Sequence, residues 1–118
     1  MAAVTLACSA GVAAANVVDL PGNYGNETGC SYLLDGGFDD DTHVALTPEK
    51  YESYATGCEF VQSARSKDGD HVVTMLCSHE GETFKSIDFM RIVKADGRDA
   101  YEMYNRAGDP IATVDRCK

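Results

Sequence analysis

Apolar and polar residues alternate along most of this chain in short runs, and the runs are cut by turn residues. Pro21-Gly22, Gly25-Asn26, Gly36-Gly37, Asp68-Gly69, Asp96-Gly97 and Gly108-Asp109-Pro110 punctuate segments rich in β-branched and aromatic residues. Short strands joined by tight turns give this pattern. Two hairpins carry enough detail to assign a register. A two-residue turn at Asp68-Gly69 pairs Lys67 with Asp70 and sets Ala64 against Val73, Gln62 against Met75 and Phe60 against Cys77. The segment 71–77, His-Val-Val-Thr-Met-Leu-Cys, is apolar on both faces and is read as a central strand. A second turn at Asp96-Gly97 pairs Ala95 with Arg98. It puts Ile92 opposite Tyr101, Met90 opposite Met103 and Arg91 opposite Glu102, with one face apolar and the other bearing opposite charges.

Phe84 and Ile87 fall on opposite faces, so a bulge or strand break is expected between them. Thr47-Pro48-Glu49 is a helix-start signal, and Tyr51 and Tyr54 share a helical face. Residues 46–58 therefore fit either one helical turn or an irregular edge strand. The last strand is Ile111 to Cys117. The predicted fold is all-β: an antiparallel meander of seven or eight short strands forming a small barrel or flattened sandwich.

The alternation begins only after Asn16. Residues 1–15 carry no charge, are small and apolar, and end in Ala13-Ala14-Ala15. This is the apolar region and cleavage site of an export signal, too short to span a bilayer. The positive start usual in such signals is missing, which fits a true start upstream of Met1. The expected organisation is a cleaved signal peptide over 1–15 and a single β domain over 16–118. The alternative for Cys8 is lipid attachment through Thr5-Leu-Ala-Cys8 rather than removal with the signal.

Without Cys8, four cysteines remain: Cys30, Cys58, Cys77 and Cys117. In an exported domain of this size they are read as two disulfides, each worth roughly 3 to 4 kcal/mol in the chain-entropy account. No Cys-x-x-Cys pair supports a zinc site. In the 68–69 hairpin register Cys58 and Cys77 lie diagonally, roughly 7 to 8 Å apart. That exceeds the Cα spacing of about 4.4 to 6.8 Å that a disulfide takes. Cys58–Cys77 is thereby disfavoured. Cys30–Cys58 with Cys77–Cys117 is preferred, and Cys30–Cys77 with Cys58–Cys117 stays open.

Charge narrows the partners. Nineteen acidic residues against ten basic give a net charge of −9. Such a chain repels phosphate backbones and anionic lipid, so nucleic-acid and membrane-surface roles are disfavoured, and a cationic protein or cell-envelope component is the favoured partner class. The acidic, glycine-rich loop with Asp35, Asp39, Asp40, Asp41 and His43 is the candidate binding loop. It lacks the EF-hand spacing for calcium and serves equally as a solvated turn. Cys77, His79 and Glu80 sit together, but His79-Glu80 lacks the second histidine of a zinc hydrolase motif, and a bridged Cys77 carries no nucleophilic thiolate. His43 and His71 are read as surface residues at strand ends. No nucleophile elbow or phosphate-binding glycine loop is present, no cofactor is implied, and the chain is read as non-enzymatic. Asn26-Glu27-Thr28 is a glycosylation triplet that matters only in a host that glycosylates exported chains. Six tyrosines, four phenylalanines and no tryptophan suit half-exposed sheet faces, and a fraction of such faces bind partners.

Taken in order, Leu20-Pro-Gly-Asn-Tyr-Gly25, Tyr51-Glu-Ser-Tyr-Ala-Thr-Gly-Cys58, Cys77-Ser-His-Glu-Gly-Glu82 and Arg116-Cys117 resemble a group of small exported four-cysteine proteins of alphaproteobacteria. The likeness spans nearly the whole chain after residue 15. It implies a periplasmic β-rich domain and supplies no catalytic residues. A more distant likeness is to periplasmic inhibitors of C-type lysozyme, which are small disulfide-bearing barrels with a basic target. Their Ser-Gly-Ala-x-Tyr loop is absent, and residues 63–70, Ser-Ala-Arg-Ser-Lys-Asp-Gly-Asp, are its nearest counterpart. The sequence-based expectation is a secreted or periplasmic binding module, or an inhibitor of a cationic envelope-degrading enzyme such as lysozyme.

Overall fold

A computed structural model of the chain describes residues 16–36 and 41–118. The expected signal peptide with Cys8, and the loop residues Asp39 and Asp40, lie outside the described residues. Among the described residues, eight antiparallel strands follow one another around a closed barrel. They are β1 (Tyr24–Gly25), β2 (Val44–Leu46), β3 (Lys50–Ser53), β4 (Thr56–Arg65), β5 (His71–His79), β6 (Ser86–Lys94), β7 (Ala100–Asn105) and β8 (Pro110–Arg116). One helix, α1 (Glu27–Asp35), lies between β1 and β2. Each strand pairs with the next, and β8 returns to β1 through Tyr24 opposite Arg116 and Gly25 opposite Asp115.

The period-two pattern is clearest on β5, where His71, Val73, Met75 and Cys77 point inward and their neighbours outward. Tyr24, Leu46, Val73, Met90, Ile92, Met103 and Val114 fill the interior from all sides. An eight-stranded barrel is just wide enough for side chains to fill it, so this interior is a packed core. Each large apolar side chain buried there contributes about 1.5 to 3 kcal/mol relative to exposure. Val18 and Leu20 join that core ahead of β1, and the Val18 N–H donates to the Pro48 carbonyl.

Both hairpin registers differ from the sequence expectation, for local reasons. In the first, the Ser66 hydroxyl accepts from the N–H groups of Asp68 and Asp70, at 3.2 and 3.1 Å. This widens the loop, which is closed by Ser66 N–H donating to Asp70 O. The ladder then skips Val61, a bulge between Phe60 and Gln62. Together the two steps set Phe60 opposite Met75 and Cys58 directly opposite Cys77. In the second, the loop runs over residues 96–99 and Ala95 N–H donates to Ala100 O. Asp99 is drawn away from a tight turn by Tyr24 and Arg116. The shift is two residues, so inward faces are kept: Ile92 faces Met103 and Met90 faces Asn105. Arg91 now lies opposite Tyr104 instead of Glu102.

The disulfides are Cys30–Cys117 and Cys58–Cys77. This overturns the preferred pairing, Cys30–Cys58 with Cys77–Cys117, and also the crossed one. The wider loop and the bulge at Val61 act together: with the wider loop alone Cys58 would face Ser78, and the bulge brings it opposite Cys77. Cys30–Cys117 then ties α1 to the end of β8 across the barrel seam.

Helix α1 was missed because Gly25-Asn26 reads as turn punctuation. Asn26 is its N-cap, accepting from Gly29 N–H at 2.7 Å, and Gly36, at φ 77°, closes it in the left-handed conformation. Residues 50–53, for which a helical turn was as good a reading, form strand β3 instead. Thr47 still caps: its hydroxyl accepts from Glu49 and Lys50 N–H at 3.2 and 3.1 Å, but the chain turns once and continues extended. The break expected near Phe84 is present, with β6 starting at Ser86.

Candidate functional site

The structure places the sequence-predicted residues at several points of the fold. Of the proposed binding loop, Asp35 ends α1 and is exposed, as is Asp41, while Asp39 and Asp40 lie outside the described residues. His43 is not a surface residue. It is 5 % exposed, with the Tyr32 ring 5.1 Å away. Below it Glu52 holds an ion pair with Lys50 at 2.7 Å and a hydrogen bond with the Tyr32 hydroxyl. Burial pushes the Glu52 carboxyl up, but these two donors outweigh it and leave the group lowered. His71, also expected at the surface, is buried beside Tyr101. His71 is the first inward-facing position of β5, whereas His43 precedes β2 on the face opposite to the core residues Val44 and Leu46 and is covered there by Tyr32 of α1. Among the described residues no group of three His, Cys, Asp or Glu side chains stands close enough to share a metal ion.

Cys77 spends its sulfur on Cys58, and His79 Nδ1 lies 3.1 Å from the Thr56 hydroxyl. Glu80 donates its N–H to Ala55 O and exposes its side chain. The Asn26 side chain is likewise committed. Its Oδ1 accepts from Gly29 and Val44 N–H, and its Nδ2 donates to Thr42 O at 2.6 Å. The tyrosines do not form one binding face: Tyr24, Tyr51 and Tyr101 are buried, Tyr54 is exposed at the β3–β4 turn, and Tyr104 is half-buried on the outer wall.

The outer wall of β5, β6 and β7 shows what the sequence reading passed over. Outward positions of these strands should be polar in a solvated barrel. Here Val72, Ile87 and Phe89 are 46 %, 64 % and 42 % exposed, and Val61 at the bulge is 53 % exposed. Cross-strand pairing joins them: Ile87 lies opposite Leu76, Phe89 opposite Thr74, and Val72 opposite Arg91, which in turn lies opposite Tyr104. A contiguous exposed apolar patch marks an interaction surface far more often than scattered apolar residues do. The signal was in the sequence, in a segment 71–77 apolar on both faces. Apolar residues on both faces predict a strand buried on both sides, but in a barrel one side faces outward.

At one end of this wall lies an open groove of about 580 Å³, walled by Val72, Phe89, Met90 and Tyr104 and flanked by Arg91 and Arg106. Arg91 Nε donates to Asp70 at 2.9 Å, and its guanidinium lies 5.3 Å from the Tyr104 ring centre, a cation–π contact. The Tyr104 hydroxyl donates to Glu102 at 2.9 Å, and that bond raises the phenol. Among the described residues no helix is long and apolar enough to cross a membrane. No protein-family model matches the chain, and neither a curated protein nor a solved structure matches it.

Proposed function

We propose that this protein is a non-enzymatic binding module, exported to the periplasm or secreted, whose working surface is the outer wall of β5, β6 and β7. The exposure of Val72, Ile87 and Phe89 on neighbouring outward positions of β5 and β6 carries this reading. Two disulfides support an oxidising compartment. Loss of residues 1–15 would remove none of the described core, which begins at Val18. The disulfide at Cys77 removes the one candidate thiol nucleophile beside His79 and Glu80. A photo-crosslinking side chain placed at Ile87 in the producing cells is expected to give a discrete adduct, and one at Thr113 on β8 none. Equal adducts from both positions, or none from Ile87, would overturn the assignment.

The net charge of −9 favours a second reading, inhibition of a cationic envelope-degrading enzyme such as lysozyme. Purified protein should then slow lysis of cells by a C-type lysozyme at low ionic strength, and less so as salt is raised. Unchanged lysis at low salt would end that reading.

A further inference from the structure

We propose that the groove at the end of the β5–β7 wall binds a free anionic amphiphile, a monocarboxylate with an alkyl or aryl tail. The inference rests on the outer wall being the binding surface and names the chemistry of what it takes. The groove's volume of about 580 Å³ suits a small ligand, and its walls are apolar, with few polar groups. Its charges are the telling part. In a chain with nineteen acidic and ten basic residues, both charged residues lining this groove are arginines.

The two arginines are not equivalent. Arg91 is compensated by Asp70 and lies over Tyr104. Arg106 makes no hydrogen bond or ion pair among the described residues. Its backbone is nonetheless well held. Asn105 Oδ1 accepts from Ala107 and Asp109 N–H at 3.0 and 2.9 Å, and Gly108, at φ 90°, donates its N–H to Asn105 O. The turn therefore fixes where Arg106 starts and leaves its guanidinium uncommitted beside Phe89 and Val72. Asn105 spends its oxygen on the turn, so its NH₂ remains for a ligand.

A carboxylate accepts two parallel N–H bonds from a guanidinium, a geometry that a neutral head group cannot match. A cationic head would be repelled. The packed interior of the barrel leaves no room for the tail, so the tail lies along the outer wall on Phe89 and Val72. An anionic bilayer is disfavoured as the source, because the whole protein carries a net charge of −9 and would be repelled as it approached. A free monomeric amphiphile carries a single charge and meets a far smaller barrier.

The test is a titration of the isotope-labelled, disulfide-intact protein with decanoate below its micelle concentration, followed by backbone amide shifts. Decanol and anionic vesicles are run beside it. Decanoate is expected to shift Val72, Phe89, Tyr104 and Arg106 together. Arg106→Gln should weaken decanoate by about tenfold, as loss of a charge-assisted hydrogen bond does, and leave decanol unchanged. Arg106 is an exposed turn residue outside the core, so the variant should fold. The inference is overturned if decanol binds as tightly as decanoate, if Arg106→Gln changes nothing, if the vesicles compete best, or if the shifts fall off the wall. The crosslinking result at Ile87 decides the broader reading separately.

Discussion

Cys58 on β4 faces Cys77 on β5 directly, with Cα atoms 4.0 Å apart, and the two are bonded. The relationship exists because one residue, Val61, is left out of the β4–β5 ladder. Cys30–Cys117 spans 87 residues and Cys58–Cys77 only 19. In the loop-entropy account the longer bridge is worth about 4.6 kcal/mol and the shorter about 3.3 kcal/mol. Denaturant unfolding should show Cys30→Ala/Cys117→Ala losing more stability than Cys58→Ser/Cys77→Ser. Non-reducing peptide mapping should recover these two pairs, and recovery of Cys30 linked to Cys58 would refute the arrangement. Cys30 and Cys117 are half-buried while Cys58 and Cys77 are buried, so a dithiol should open Cys30–Cys117 first.

Asn26 and Gly29 join α1 to β2. Asn26→Ala removes a helix cap and strands the Val44 N–H, a loss of about 2 kcal/mol. Gly29→Ala should be worse. A Cβ there would sit 1.9 Å from the Val44 carbonyl oxygen, which is backbone and cannot rotate away. Thermal melts of the two variants test the order. A Gly29→Ala protein as stable as the parent would mean that α1 does not pack on β2 in this way.

The barrel seam has a titration signature. Burial, then the 2.6 Å hydrogen bond to Asp99, pushes the Tyr24 phenol up to about 12. The folded chain thus keeps Tyr24 neutral where the unfolded chain, with an ordinary phenol near 10, has ionised it. Tyr24's contribution is complete below about pH 10 and is lost as pH rises through the folded value. Ring-labelled tyrosine spectra should show one phenol titrating near the top of the series, moving down in Asp99→Asn. A Tyr24 resonance unmoved by that variant would contradict the assignment.

His71 sets a limit on the acid side. Burial, with a smaller push from Arg65, lowers its imidazole against the opposing pull of Asp19 and Asp70. The unfolded chain takes up this proton below about pH 6.5 and the folded chain only at lower pH. His71 therefore favours folding fully above about pH 6.5, and the benefit drains away as pH falls, with a slope of at most about 1.4 kcal/mol per pH unit. Urea unfolding across this range should be steeper in pH for the parent than for His71→Gln. Identical slopes would show that His71 is not the group responsible.

Much of the fold was legible because strand content depends on local pattern. Period-two alternation in β5 and β6 and turn residues at fixed intervals identify strands regardless of their neighbours. The inward faces of Met90, Ile92, Tyr101 and Met103 survived a wrong loop length, since a shift of two residues preserves the face. The candidate site was much less legible. Arg106, Phe89 and Val72 come from three separate segments, and no spacing along the chain announces that they share a groove.

By itself the amino-acid sequence determined the class of structure: all-β, antiparallel, one domain's worth of core, acidic, with an even set of cysteines after residue 15. These follow from composition and short-range periodicity, which act over a few residues. Only the tertiary structure decided which cysteines meet, that the meander closes into a barrel instead of a sandwich, and that His43 and His71 are buried. The Cys58–Cys77 register turns on Ser66 opening a loop and on Val61 bulging from a ladder, and Asp99 reaches Tyr24 across the seam that closes the barrel. Register changes by whole residues, so a local hydrogen bond worth about 1 kcal/mol can move every contact downstream of it.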